Sequence, residues 1–182
     1  MRILALSGSL RRDSYNTQLL RAAVELVPAG AVLELYDGLA VLPPYDADIA
    51  PAPAAVVDLR ARLAAADAVL IATPEYNGSI PGQLKNALDW ASRPFPDSAL
   101  RNKPIALTGA STGSYGAMWA QADLRRVLGV VGARVVGEEL PVAKADEQFG
   151  AAGQLVDPEL RARLVAHLAL LVAEAQRTPI AA

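Results

Sequence analysis

The stretch Ser7-Gly8-Ser9-Leu10-Arg11-Arg12-Asp13-Ser14-Tyr15-Asn16-Thr17 gathers hydroxyls, an amide and arginine between an apolar run, Arg2 to Ser7, and a helical pattern. These residue types suit an anion. The unpaired N–H groups and dipole of a helix N-terminus favour a dianion. Arg11 can make a bidentate contact, and Ser9, Ser14, Asn16 and Thr17 can donate neutral hydrogen bonds to the remaining oxygens of a phosphate monoester. The order is neither G-x-G-x-x-G nor G-x-x-x-x-G-K-[ST], so the dinucleotide and nucleoside-triphosphate fingerprints are absent. Taken alone, the stretch reads equally well as a capped helix start in a solvated loop.

A second segment, Pro74-Glu75-Tyr76-Asn77-Gly78-Ser79-Ile80-Pro81-Gly82, follows the apolar run Ala68 to Thr73 and leads into a helical pattern through Trp90. Loops at the carboxyl ends of strands are where open α/β sheets hold ligands. Tyr76 offers a flat face and a hydroxyl, and Glu75 and Asn77 offer acceptors and amide donors. The segment has no cysteine or histidine. It is suited to holding a flat polar heterocycle rather than attacking a bond. A third loop, Thr108 to Gly116, contains Ser111, Thr112 and Gly113 as small donors among glycines that allow close backbone approach. By itself it reads as a strand-to-helix turn; three such loops on one sheet edge favour a site.

The chain has 182 residues, 53% of them hydrophobic, and no composition break, so one domain over 1–182 is expected. A net charge of −2 from 17 basic and 19 acidic residues provides no basic field for nucleic acid. The chain has no cysteine and one histidine, which leaves no disulfide, thiolate chemistry or His/Cys metal cluster. The run Ile3 to Leu6 is too short for a signal peptide, and no apolar run approaches membrane-spanning length, so a cytoplasmic location is expected.

Five apolar runs, Arg2 to Ser7, Val32 to Tyr36, Ala68 to Thr73, Pro104 to Gly109 and Arg134 to Gly137, alternate with helical patterns. Leu19, Ala22, Ala23, Leu26 and Val27 share one helix face, as do Leu160, Leu164, Leu168 and Leu171 after the N-cap signal Asp157-Pro158. Strands apolar throughout imply a parallel sheet covered on both faces. The pattern predicts a flavodoxin-like, doubly wound, five-stranded sheet of order 2-1-3-4-5 with helices on both faces. Prolines at 43, 44, 51 and 53 make Leu42 to Ala55 a loop and approach to the second helix.

Gly8-Ser9-Leu10-Arg11 through Ser14-x-Asn16, Pro74-Glu75-Tyr76-Asn77 with Ser79-x-Pro81-Gly82-x-Leu84-Lys85-Asn86-Ala87-x-Asp89-Trp90, and the loop from Ser111 occur in one order and spacing. Together they make the chain resemble the NADPH-dependent FMN reductases, a flavodoxin-like family that includes bacterial quinone, chromate and azo-dye reductases. The resemblance implies FMN as cofactor and NADPH or NADH as co-substrate, with electrons passed to a quinone, azo, metal-oxyanion or flavin acceptor. It also implies that Ser9, Arg11, Ser14, Asn16 and Thr17 hold the FMN phosphate, with Tyr15 beside them as a further cofactor-binding residue. Pro74, Glu75, Tyr76, Asn77 and Gly78 would line the ring, with Ser111, Thr112 and Gly113 on its other side. A homodimer or homotetramer with the site near the subunit boundary is implied too. One departure is Met118-Trp119-Ala120-Gln121, where family members often carry an arginine.

Two readings compete with a reductase: a flavodoxin-type electron carrier, disfavoured by the small net charge, and a phosphate-ligand binding domain on the same fold. Since a flavin would carry the chemistry, no protein acid or base is assigned as catalytic. Backbone N–H groups near Asn77 or Ser111 are the candidates for stabilising a reduced ring. His167 reads as a packing or rim histidine, Glu75 taken alone as a solvated loop acid, Lys85 as a surface or interface contact, and Trp90 and Trp119 as core or interface anchors.

Overall fold

The computed structural model describes residues 1–177. Strands β1 (Arg2–Ser7), β2 (Val32–Tyr36), β3 (Ala68–Ala72), β4 (Pro104–Ala110) and β5 (Arg134–Val135) form a parallel sheet in the order β2-β1-β3-β4-β5. The predicted topology is therefore the observed one. A further strand, β6 (Leu140–Val142), also pairs parallel with β4, matching Thr108, Gly109 and Ala110 to Leu140, Pro141 and Val142. The edge beside β4 is thus split. β5 holds its first half, where Pro104 and Ile105 face Arg134 and Val135, and β6 holds its second.

Side chains alternate across the pleat, so each strand feeds two cores. Leu4, Leu6, Val69, Ile71, Ile105 and Leu107 face α2 (Ala54–Ala65), α3 (Gly82–Ala91) and α4 (Met118–Val130). Ile3, Ala5, Ala68, Leu70, Ala72 and Ala106 face α1 (Tyr15–Leu26) and α5 (Pro158–Gln176). Leu160, Leu164, Leu168 and Leu171 of α5 are all buried, as their spacing requires. The Asp157 carboxylate accepts from the Glu159 N–H at 2.8 Å, capping α5 as expected. Between a 3-10 turn, Gly38–Val41, and α2, the proline-rich segment has no regular element. Its carbonyls are gathered by α3: Gln83 Nε2 donates to Leu39 and Leu42, and Asn86 Nδ2 and Trp90 Nε1 both donate to Pro43 at 2.8 Å. No helix among the described residues is long and apolar enough to cross a membrane.

Candidate functional site

Strand pairing continues past the strand ends and delivers the loops side by side. The Gly8 N–H bonds the Ala72 carbonyl at 2.8 Å, and the Thr73 N–H bonds the Thr108 carbonyl at 2.9 Å. On the first wall, Ser14 has extended backbone and its hydroxyl accepts from the Thr17 N–H at 3.3 Å, capping α1. The N–H groups of Tyr15 and Asn16 have no partner among the described residues, as expected of a helix's first turn. The Ser9 hydroxyl accepts from the Arg11 N–H at 3.4 Å. Arg11 is exposed and forms no ion pair among the described residues.

Two side chains expected to be phosphate donors have other partners. Asn16 is buried, and its Nδ2 donates to the Ala110 carbonyl at 3.0 Å while its Oδ1 accepts from the Ala110 N–H at 2.9 Å. This two-way pair, formed where β4 ends, ties the first loop to the third. The Thr17 hydroxyl shares a hydrogen bond with that of Ser7 at 2.9 Å. At these two positions the sequence types suggested ligand donors, and the fold uses the side chains as braces.

The second wall is a tight hairpin. Tyr76 and Ser79 exchange backbone hydrogen bonds at 3.0 and 3.2 Å around Asn77 (φ 54°) and Gly78 (φ 75°). Positive φ at both central positions makes this a type I′ turn, for which Asn-Gly is the preferred pair. Glu75 is not a solvated loop acid. Its Oε2 accepts from the N–H groups of Trp119 at 3.1 Å and Ala120 at 3.2 Å. Helix α4 starts from a left-handed Ala117 with no side-chain cap of its own, so Glu75 supplies the missing acceptor and a negative charge at the positive end of the helix dipole. One turn further on, the Ser79 hydroxyl donates to Asp123 Oδ2 at 2.6 Å. That bond, then the one from Arg126, holds the Asp123 carboxyl below the usual carboxylate range.

The third wall is fastened by β6. The Ser111 N–H bonds the Val142 carbonyl, and the Ala145 N–H bonds the Ser111 carbonyl, both at 3.0 Å. The Ser111 hydroxyl accepts from the Gly113 N–H at 3.1 Å. The N–H of Ser111 is therefore occupied, and from Ser111 to Gly113 the N–H without a partner among the described residues is that of Thr112. Two of the glycines here serve the protein's own packing. A Cβ on Gly109 would lie 2.6 Å from the Thr73 carbonyl oxygen, and one on Gly116 (φ +57°) 2.6 Å from the Val142 nitrogen. Fully buried Gln121 secures that left-handed turn, its Nε2 donating to the Gly116 and Ala117 carbonyls.

The three walls enclose one cleft, lined by Ser9, Arg11, Ser14, Tyr15 and Asn16, by Pro74, Glu75 and Tyr76, and by Ser111 and Thr112. Thr17, Asn77, Gly78 and Gly113 do not line it; Asn77 and Gly78 form the hairpin tip. A larger surface groove of about 420 Å³ lies along α1 toward its carboxyl end, between Arg21, Glu25 and the 152–155 loop. Only Gln18 of its lining comes from near the start of α1, and it shares no residue with the cleft at the strand ends. Trp90 is buried in the core, as expected, whereas Trp119 is half exposed and is not a core residue. Lys85 pairs with Asp89 at 2.7 Å on the surface of α3. Burial pushes the His167 imidazole below its ordinary range.

A parallel sheet of order 2-1-3-4-5, with a helix N-terminus and two further loops converging at its carboxyl edge, defines a flavodoxin-like protein. Within that class the chain belongs to the NADPH-dependent FMN reductase family, which its residues 1–147 match. It is 43% identical over 164 residues to an NAD(P)H-dependent FMN reductase of Pseudomonas aeruginosa, covering 88% of each chain. It is 39% identical over 163 residues to a 2-hydroxy-1,4-benzoquinone reductase of a Burkholderia species, again covering 88% of each. Among solved structures, FerB, a flavoenzyme NAD(P)H:(acceptor) oxidoreductase from Paracoccus denitrificans, is 35% identical with a TM-score of 0.83, over 95% of this chain and 98% of that one.

Proposed function

We propose that this protein is a reductase that oxidises NADPH or NADH at a bound FMN and passes the electrons to a small quinone. The observation that carries this reading is the cleft, where a helix N-terminus with two N–H groups and an arginine, all without partners among the described residues, faces an aromatic hairpin and a serine loop. The residues present fit FMN. The Tyr15 and Asn16 N–H groups, the Ser9 and Ser14 hydroxyls and Arg11 suit a phosphate monoester. Pro74 and Tyr76 offer apolar surface for one side of a flat ring. The Thr112 N–H is the donor best placed to meet charge on its polar edge.

Bound FMN supplies a ring that accepts a hydride and releases electrons. The chain's part is to bind, orient and stabilise charge. Glu75 and Ser79 join the ring-facing hairpin to α4, and Asn16 joins the phosphate-facing helix to β4, so the walls keep a fixed separation. The relatives' names support a quinone acceptor. Azo compounds, metal oxyanions and free flavin are further acceptors that a ring with one open face would admit, and a homodimer or homotetramer is the expected assembly. The test is the visible spectrum of purified protein mixed with FMN and freed of excess, then given NADPH without oxygen and finally a quinone. Retained yellow colour, rapid bleaching and recovery on quinone addition are expected. Protein that keeps its colour under NADPH is an electron carrier, and protein that retains no flavin refutes the reading.

A further inference from the structure

The chain between β6 and α5 touches two of the cleft's walls. Under the third wall, the Ala145 N–H bonds the Ser111 carbonyl at 3.0 Å and the Lys144 N–H bonds the Gly113 carbonyl at 3.2 Å. The segment then folds into a small hairpin. The Val156 N–H meets the Gln148 carbonyl at 3.0 Å, the Gly150 N–H meets the Gln154 carbonyl at 2.9 Å, and Phe149 bridges Leu155. Leu155 is buried in the core shared with α1 and α5. On the first wall, the Phe149 ring lies nearly parallel to that of Tyr15, with planes inclined by 13° and centroids 6.1 Å apart. Tyr15 lines the cleft and is the first residue of α1, where the N–H groups that suit a phosphate are found.

We infer that Phe149 is a positioning residue for the cleft's phosphate end: by stacking on Tyr15 it fixes that ring as a screen beside the α1 N-terminus, which strengthens the grip on a phosphate monoester. The inference rests on the FMN reading above. Phe149 carries no polar side-chain atom, so its side chain acts on an anion through Tyr15. Tyr15 is half-buried, and a ring left unsupported at the cleft's edge would have to be ordered on binding, a cost that a stacked partner removes beforehand. A ring held there also keeps water from one side of the anion, and hydrogen bonds to charge strengthen as their surroundings become less polar. Leu155 and the backbone bonds already fasten the hairpin, so the ring at 149 is not spent on that task. The residue it meets is instead one that lines the site.

The test titrates wild type, Phe149→Ala and Phe149→Tyr with FMN and with riboflavin, which has the same ring system and no phosphate, following the quenching of flavin fluorescence. Phe149→Ala should bind FMN about two- to twelvefold more weakly than wild type while binding riboflavin as wild type does, and Phe149→Tyr should regain the FMN affinity. A second readout uses wild type alone: bound FMN should slow amide hydrogen exchange at residues 144–156 more than bound riboflavin does. Equal losses for both flavins, unchanged FMN affinity in Phe149→Ala, no recovery in Phe149→Tyr, or the same exchange rates with both flavins would each overturn the inference. If Phe149→Ala does not fold, the exchange measurement decides. Any of these results in a protein whose wild type binds FMN overturns this assignment alone; wild type that binds neither flavin overturns the reductase reading with it.

Discussion

Replacing Asn16 with alanine separates two roles for that residue. If its amide is a brace, Asn16→Ala strips partners from the Ala110 N–H and carbonyl, which it holds at 2.9 and 3.0 Å inside the protein. Leaving a buried polar group unpaired costs about 1–3 kcal/mol, so two such groups cost about 2–6 kcal/mol. A water entering the vacated space would bring the value toward the lower end. For a chain of this size each kcal/mol lowers Tm by about 2–4 °C, giving a fall on the order of 10 °C. The assay is urea and thermal unfolding of FMN-free protein by circular dichroism, with FMN affinity measured separately from quenching of flavin fluorescence. Asn16→Asp keeps the acceptor for the Ala110 N–H but sets a carboxylate against the Ala110 carbonyl, so it should also be destabilised. An unchanged unfolding midpoint together with a large loss of FMN affinity would refute the reasoning and return the amide to the ligand.

Arg11→Ala should lose charge-assisted hydrogen bonds worth about 1.5–3 kcal/mol, a tenfold to hundredfold fall in FMN affinity. Its Tm should stay at the wild-type value because Arg11 is exposed and has no ion-pair partner among the described residues; wild-type FMN affinity would rule out a phosphate contact. His167 gives a pH dependence of known sign. Burial, opposed by a weaker backbone hydrogen bond, pushes its pKa below 6.5, so the unfolded chain takes up the proton first as pH falls through that value, and stability drops on acidification. In His167→Gln that part of the loss should vanish when urea midpoints at about pH 7.5 and 5.5 are compared, and a variant with the wild-type slope shows that other groups cause it.

The sheet order and both helical faces were legible because their signals are local: apolar runs of strand length, a 3.6-residue repeat and an Asp-Pro cap. Strand β6 was not, since Leu140-Pro141-Val142 is only three residues long with a proline at its centre, and it pairs with β4 because Thr108 to Ala110 extend beyond β5. The brace roles of Asn16 and Glu75 were hidden for another reason. Asn16 meets Ala110 at a separation of 94 residues, and Glu75 meets Trp119 at 44. Residue type alone gives donors and acceptors without saying whether a ligand or the backbone will use them. For Glu75 the available signal was the helix beginning at Met118 with no Ser, Thr, Asp or Asn at its cap position.

The split border beside β4 has a consequence for how the chain behaves in a crowded solution. A sheet margin is a template on which a foreign strand can grow, and the hazard rises with its length and regularity. Here that margin is broken into pieces of two and three residues, and Pro141 removes an N–H from the longer one. At the opposite margin, β2 turns Glu34 outward, ion-paired with Arg2 at 3.4 Å. The protein can therefore keep its cleft open at the ends of the central strands while offering neighbouring chains little continuous backbone to recruit.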